Sequence, residues 1–167
     1  TRTEFQPTID LEFPSFSPFR ENERQFQRNV GRLHGSVIKA FDGLIHSANP
    51  SRRTDILDSL NVAQQVFSSD KREKVLILFS DMIEDSDPYN FERERIDTRR
   101  IDKIIQERRK SGEVPDLSGV RIFVVGADAR TERKAEEIEK FWTQYFRESK
   151  ATFDPANYAH SLIGYSR

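Results

Sequence analysis

Two apolar runs constrain the fold of this chain more than any other feature of its sequence. One is continuous and occupies residues 75–79, and the other, at residues 120–126, is interrupted by Arg121. A continuous apolar run such as the first suits a strand that is buried on both faces, as in a parallel sheet. Because two parallel strands are joined by a long crossover connection, the runs predict a sheet whose strands are separated by helices.

Amphipathic helices are predicted around these runs. A first helix is predicted over residues 21–47, where apolar residues recur at steps of three and four: Phe26, Val30, Leu33, Val37, Phe41 and Leu44. A second begins at Thr54, the predicted N-cap, with Asp55 in its first turn. Two more are predicted over residues 98–110 and from Thr131, another N-cap, to residue 149. This alternation predicts an α/β fold with a doubly wound, mostly parallel, Rossmann-like sheet.

The two ends of the chain give weaker predictions. Residues 1–20 are rich in Phe and Pro, which predicts an extended arm with one short strand over residues 8–13. A last short strand is predicted over residues 161–165. The length of 167 residues fits a single domain, residues 1–167.

Composition excludes several classes of function. The chain has 27 Lys and Arg against 28 Asp and Glu, so its formal net charge of −1 gives no general attraction to nucleic acid. It has no cysteine, which excludes disulfides, thiolate nucleophiles and zinc sites with Cys ligands. No apolar run approaches the ~20 residues of a membrane span. A basic stripe on the first helix, interpreted as a solvated face, comprises Arg20, Arg24, Arg28 and Arg32.

Ligands of open α/β sheets bind beyond the carboxyl ends of the strands, so the residues that follow each run are the informative ones. Asp81 comes just after the first run, and Asp128 just after the second. Thr54, at the start of a helix, is expected to reach the same edge. The sequence therefore predicts a polar site built around Thr54 and Asp81.

Three segments in series resemble the second half of a von Willebrand factor A (VWA) domain. They are Arg-Thr-Asp-Ile-Leu at residues 53–57, Leu-Phe-Ser-Asp at 78–81 and Phe-Val-Val-Gly at 123–126, and the likeness covers residues 51–165. In that family a loop Thr and an Asp after the fourth strand contribute to a metal-ion-dependent adhesion site (MIDAS). The resemblance implies that Thr54 and Asp81 take these positions as ligands of Mg²⁺.

The first motif of the VWA site, Asp-x-Ser-x-Ser after the first strand, is absent from this chain. The resemblance therefore implies a sheet without its N-terminal strand and an incomplete metal site, since Mg²⁺ requires about six oxygen ligands. It also implies a non-catalytic module that binds a protein partner, whose carboxylate completes the coordination of the ion.

Two alternatives remain open at this point. One is a metal-assisted hydrolase that uses the acidic loop Asp81, Glu84, Asp85 and Asp87. Against the hydrolase, the chain has no nucleophile motif and no Gly-rich phosphate loop. The simpler interpretation of Glu84, Asp85 and Asp87 is a solvated loop. The other is a structural fragment that self-associates or is completed by another chain, because a missing central strand exposes apolar edges.

Overall fold

The computed structural model describes residues 22–47 and 53–159. Contacts divide the chain into two units, one with helix α1 (Glu23–Ser47) and one with all the other described elements. The predicted arm over residues 1–20, with its strand at 8–13, lies outside the described residues, as does the strand predicted at 161–165. Within the described ranges, no helix is long and apolar enough to cross a bilayer.

The second unit is built on a three-stranded sheet in which all strands are parallel. The strands are β1 (Lys74–Phe79), β2 (Val120–Val125) and β3 (Thr152–Ala159), and they lie side by side in that order. Lys74 pairs with Val120 and Phe79 pairs with Val125, so β1 and β2 end level with each other. The predicted α/β class and parallel sheet are confirmed at this coarse level, which is compatible with a Rossmann-like fold.

Strand β3 is not among the predicted strands. Its sequence, TFDPANYA, lacks an apolar run and contains Pro155, which sequence reasoning assigns to a turn or an edge strand. The strand forms because its backbone pairs with β2, with an irregularity in register between Ile122 and Val124. Such long-range pairing overrides the low local propensity of the segment.

The unit that contains the sheet has three helices in the described residues: α2 (Ile56–Phe67), α3 (Thr98–Lys110) and α4 (Glu132–Glu148). The predicted extent of α3 and the predicted Thr131 cap of α4 are confirmed, since the Thr131 hydroxyl accepts a hydrogen bond from the Lys134 amide at 3.3 Å. Asp97 caps α3 in the same way, accepting from the Arg100 amide at 3.0 Å.

An aromatic cluster on one face of α4 forms the centre of the core. Its fully buried rings are Phe141, Trp142, Tyr145 and Phe146, joined by Phe91 from the segment before α3. The rings of Phe91 and Phe141 meet edge to face at 4.6 Å between centroids, and those of Phe141 and Trp142 at 5.0 Å. Contacts of this geometry each add about 1 kcal/mol to the stabilisation from burial. They pack α4 against one face of the sheet, where Ile122 and Val124 are buried.

The prediction that the first apolar run is buried on both faces is wrong. Leu76 and Leu78 pack against the core, but Ile77 on the opposite face is 38% exposed and Phe79 is 51% exposed. The described core lies against one face of the sheet, and on the opposite face Phe123 and Val125, the partners of Ile77 and Phe79 in β2, are also only partly buried. An uninterrupted apolar run does not reveal whether one face or both faces of a strand are covered.

Candidate functional site

The carboxyl edge of the sheet brings two aspartates together. The Ser80 amide donates to the Val125 carbonyl at 3.0 Å, which continues the pairing of β1 and β2 by one step. Beyond it, the Asp128 amide donates to the Asp81 carbonyl at 3.3 Å. The side chains of Asp81 and Asp128 are both exposed. Asp81 therefore lies at the carboxyl edge of the sheet, as predicted, and this edge is exposed, acidic and shared with Asp128.

The turn after β1 holds Asp81 in a defined position. Its Oδ1 atom accepts a hydrogen bond from the Ile83 amide at 3.0 Å. Between them lies Met82, which has a φ of 65°, a left-handed conformation that costs a side-chain-bearing residue about 1–2 kcal/mol. Met82 is completely buried, and its carbonyl oxygen accepts a hydrogen bond from the indole Nε1 of Trp142 at 2.8 Å. The burial of Met82 and its hydrogen bond with Trp142 therefore stabilise a strained turn directly beside Asp81.

Thr54 lies near the start of α2, but it is not the N-cap. Asp55 caps the helix, since its Oδ1 accepts from the Asp58 amide at 2.9 Å. The backbone of Thr54 instead pairs with Asp85 in a short antiparallel bridge, with N–H to O distances of 3.2 and 2.8 Å. This pairing attaches the start of α2 to the acidic loop and leaves the Thr54 side chain exposed.

Glu84 is the residue that sequence reasoning missed. It was interpreted as part of a solvated loop, yet its side chain is completely buried. The Oε2 atom accepts hydrogen bonds from the amides of Ile56 and Leu57, at 2.9 and 3.1 Å, and so closes the first turn of α2. The Oε1 atom is buried without a hydrogen-bond partner. Burial raises the pKa of Glu84 to about 7, against the lowering effects of the Ser86 hydroxyl and the two amides.

The remaining acids of this loop do not converge on a common point. Asp85 Oδ1 accepts from the Asn90 side-chain amide at 2.8 Å, within the same loop. Asp87 is exposed and precedes Pro88. Glu84 and Asp85 therefore act as internal hydrogen-bond acceptors that shape the loop, which removes two of the four acids required by the hydrolase alternative.

A small acidic recess lies beside Asp128 at the same edge. It has a volume of about 110 Å³ and is lined by Ala127, Asp128, Ala135, Glu139, Tyr158 and Ala159. Burial raises the pKa of the Tyr158 hydroxyl, and the carboxylates of Glu139 and Asp81 raise it further. Asp128 and Glu139 therefore line the same recess as this phenol, and the charge of Asp81 acts on it as well. Tyr158 was not predicted, because it belongs to the polar strand β3.

A second buried charge, Arg108 on α3, has a structural role. Its side chain is 7% exposed, and its Nε atom donates to the Tyr145 hydroxyl at 3.1 Å. Its Nη2 atom donates to Asp58 at 3.2 Å and to the Glu113 carbonyl at 3.3 Å. The guanidinium thereby connects α2, α3 and α4.

Thr54 and Asp81 by themselves supply too few oxygen ligands for a Mg²⁺ ion. Within residues 22–47 and 53–159, no three His, Asp or Glu side chains come together as a metal-binding group. Asp81 Oδ1 already accepts a hydrogen bond from the Ile83 amide, and the backbone of Thr54 pairs with that of Asp85. A six-oxygen shell on Thr54 and Asp81 would need ligands from outside this part of the chain.

Comparison of the chain with protein-family models, with curated proteins and with solved structures found no significant match.

Proposed function

We propose that this chain is a non-catalytic, VWA-type module that binds a protein partner at the carboxyl edge of its sheet. The observation that carries the proposal is the pair of exposed aspartates, Asp81 and Asp128, at the ends of adjacent parallel strands. This edge is where open α/β sheets bind their ligands. The series of segments that resembles a VWA domain supports the same edge.

The charge at this edge defines what it attracts. Asp128 and Glu139 line the recess beside Tyr158, and Asp81 follows the neighbouring strand β1. The combined charge of several carboxylates at one edge favours the approach of a positive group. That group is either a basic side chain of the partner or a divalent cation.

Thr54 and Asp81 are the proposed Mg²⁺ ligands within this scheme, and the ion needs further oxygens from the partner or from other parts of the chain. A Mg²⁺-dependent complex and a purely protein-mediated complex then differ in one measurable respect. Only the first loses affinity when the divalent ion is removed by a chelator.

The first experiment uses Mn²⁺ as a paramagnetic substitute for Mg²⁺ on the isotope-labelled protein, followed by NMR. A bound ion broadens the amide signals of residues 81–83 and 126–128 first, and Asp81→Ala abolishes the effect. The matched control is Asp116→Ala. Asp116 is also exposed and accepts from the backbone of its own turn, at 3.0 Å from the Ser118 amide, but it lies before β2 at the other edge.

The second experiment selects peptides from a random library on the wild-type protein and measures their affinities with and without EDTA. We expect Asp81→Ala and Asp128→Ala to weaken the selected peptides by about tenfold each, as for a charge-assisted contact, while Asp116→Ala leaves them unchanged. Peptides that bind both edge variants as tightly as the wild type would refute binding at this edge. Loss of affinity in EDTA assigns the positive group to a metal ion.

A further inference from the structure

A turn rich in alternating charges is held rigidly over the start of α4. Residues 92–95, Glu-Arg-Glu-Arg, lie between Phe91 and Ile96, which are 0% and 1% exposed. The Ile96 amide donates to Glu137 Oε2 of α4 at 3.2 Å. The Lys134 ammonium group, also of α4, donates to the carbonyl of Glu94 at 2.5 Å. The turn is therefore fixed at both ends and from beneath.

Between this turn and α4 there is an open cavity of about 290 Å³. Its lining is entirely polar or charged and consists of Glu92, Arg93, Glu94, Arg95, Thr131, Arg133, Lys134 and Glu137. We call it the arginine cavity. It shares no lining residue with the acidic recess at the carboxyl edge.

The acids of the arginine cavity are already engaged. Glu94 Oε1 accepts from the Asn90 amide at 2.8 Å, and its Oε2 accepts from Arg100 at 2.8 Å. The Glu92 carboxylate pairs with Arg130 at 2.7 Å.

Glu137 is the most heavily used of the three. Besides the Ile96 amide, it accepts from Lys134 at 3.2 Å and from Arg133 at 3.3 Å. Each acid thus has at least one cation of its own.

Arg93 and Arg95 supply positive charge beyond these pairs. Both side chains are exposed, and the ion pairs found among the described residues do not include them. They lie on either side of Glu94 in a turn whose backbone is fixed, and Arg133 also lines the cavity. Several guanidinium groups around one cavity suit a ligand with several anionic oxygens, because each planar fork can donate two parallel hydrogen bonds.

We propose that the arginine cavity binds a phosphate monoester carried on a side chain of a protein partner. The lining has no aromatic side chain on which a nucleobase could stack, which argues against a nucleotide or RNA. It has no apolar wall for an acyl chain either. A phosphorylated serine or threonine needs only the anionic oxygens and space for a short polar backbone.

The test is an NMR titration of the full chain with three probes. They are a short neutral peptide with one phosphoserine, the same peptide without the phosphate, and inorganic phosphate. We expect the phosphopeptide to shift the amide signals of residues 92–95 and 131–134, and to bind more tightly than inorganic phosphate. Because the contacts are solvent-exposed, raising the salt concentration weakens them.

The variants are Arg93→Gln, Arg95→Gln and the double substitution, with Arg121→Gln on β2 as a control for net charge. All three arginines are exposed, so folding is preserved in each variant. Each single change is expected to weaken the phosphopeptide by up to about fivefold, and the control to leave it unchanged. The proposal is overturned if the unphosphorylated peptide binds equally well or if the double variant retains full affinity. Inorganic phosphate that binds as tightly as the phosphopeptide overturns the peptide source. None of these outcomes bears on the carboxyl edge, whose test uses Asp81 and Asp128.

Discussion

Replacement of Glu84 by Gln tests the buried carboxyl group directly. The wild-type side chain is completely buried, with Oε2 bonded to two amides of α2 and Oε1 without a partner. A glutamine keeps an oxygen acceptor for the helix but carries no charge. We expect Glu84→Gln to remove most of the pH dependence of stability between pH 4.5 and pH 7.

The magnitude follows from the change in pKa. Burial raises the pKa of Glu84 from 4.5 to about 7, and one pKa unit corresponds to about 1.4 kcal/mol. Between these values the folded state binds more protons than the unfolded state, so the free energy of unfolding falls as the pH rises. The wild type should lose about 3 kcal/mol from this group between pH 4.5 and pH 8, and the loss should level off above pH 7.

Other ionisable groups lie near the Glu84 carboxyl group. Asp55, the cap of α2, raises the pKa of Glu84 further. From α4, Tyr145 faces the same space, and burial raises the pKa of its own hydroxyl to about 12, so it stays neutral throughout this range. Arg108 and Asp58 pair with each other at 3.2 Å. Burial brings the pKa of Glu84 into the pH window of the experiment.

The assay is urea denaturation at pH 5, 6, 7 and 8, followed by the fluorescence of Trp142. This is the single tryptophan of the chain, and it is fully buried in the core. Asp87→Asn, which changes an exposed acid of the same loop, is the matched control and should follow the wild type. Parallel pH profiles for the wild type and Glu84→Gln would refute the reasoning. The side-chain NH₂ group of Gln is buried without a hydrogen-bond acceptor, which lowers the free energy of unfolding by about 1 kcal/mol at every pH. This cost does not change the slope of stability against pH.

Two further predictions concern the turn after β1 and the start of α2. Alanine is ordinarily the more stable replacement, but at Met82 we expect the glycine variant to be more stable than the alanine variant by about 1 kcal/mol. The reason is that glycine accepts the φ of 65° without strain. Chemical denaturation measures the difference, and an alanine variant at least as stable as the glycine variant would contradict the strain. Asp55→Ala should lower the free energy of unfolding by about 1 kcal/mol, because the N-cap of α2 is lost, while Thr54→Val should lower it by less than half of that. Equal losses in the same denaturation experiment would indicate that Thr54 is the cap.

The elements that could be predicted from sequence are those whose pattern is local. The apolar face of α4, the extent of α3 and the Thr131 cap follow from helical periodicity and from the short reach of a capping side chain. Strands β1 and β2 are dominated by β-branched and other apolar residues, a composition that is typical of buried strands. Agreement is close in these places because the decisive contacts lie within a few residues.

The features that sequence could not predict depend on distant partners. Strand β3 is polar and contains Pro155, and it forms through its pairing with β2. Thr54 and Asp55 are both good caps by type, and the bridge between Thr54 and Asp85 decides between them. Glu84 resembles any loop acid until α2 lies against it. The predicted position of Asp81 at the carboxyl edge needed only the strand before it.

The burial of Met82, next to Asp81, has a thermodynamic consequence for any partner at this edge. Met82 is enclosed by the core and its carbonyl is bonded to Trp142, so the turn cannot sample many conformations before a ligand arrives. A preorganised turn loses little conformational entropy on binding. Weak individual contacts at Asp81 and Asp128 can therefore yield a measurable affinity, and loosening the turn from below would lower that affinity without altering an atom of the binding surface.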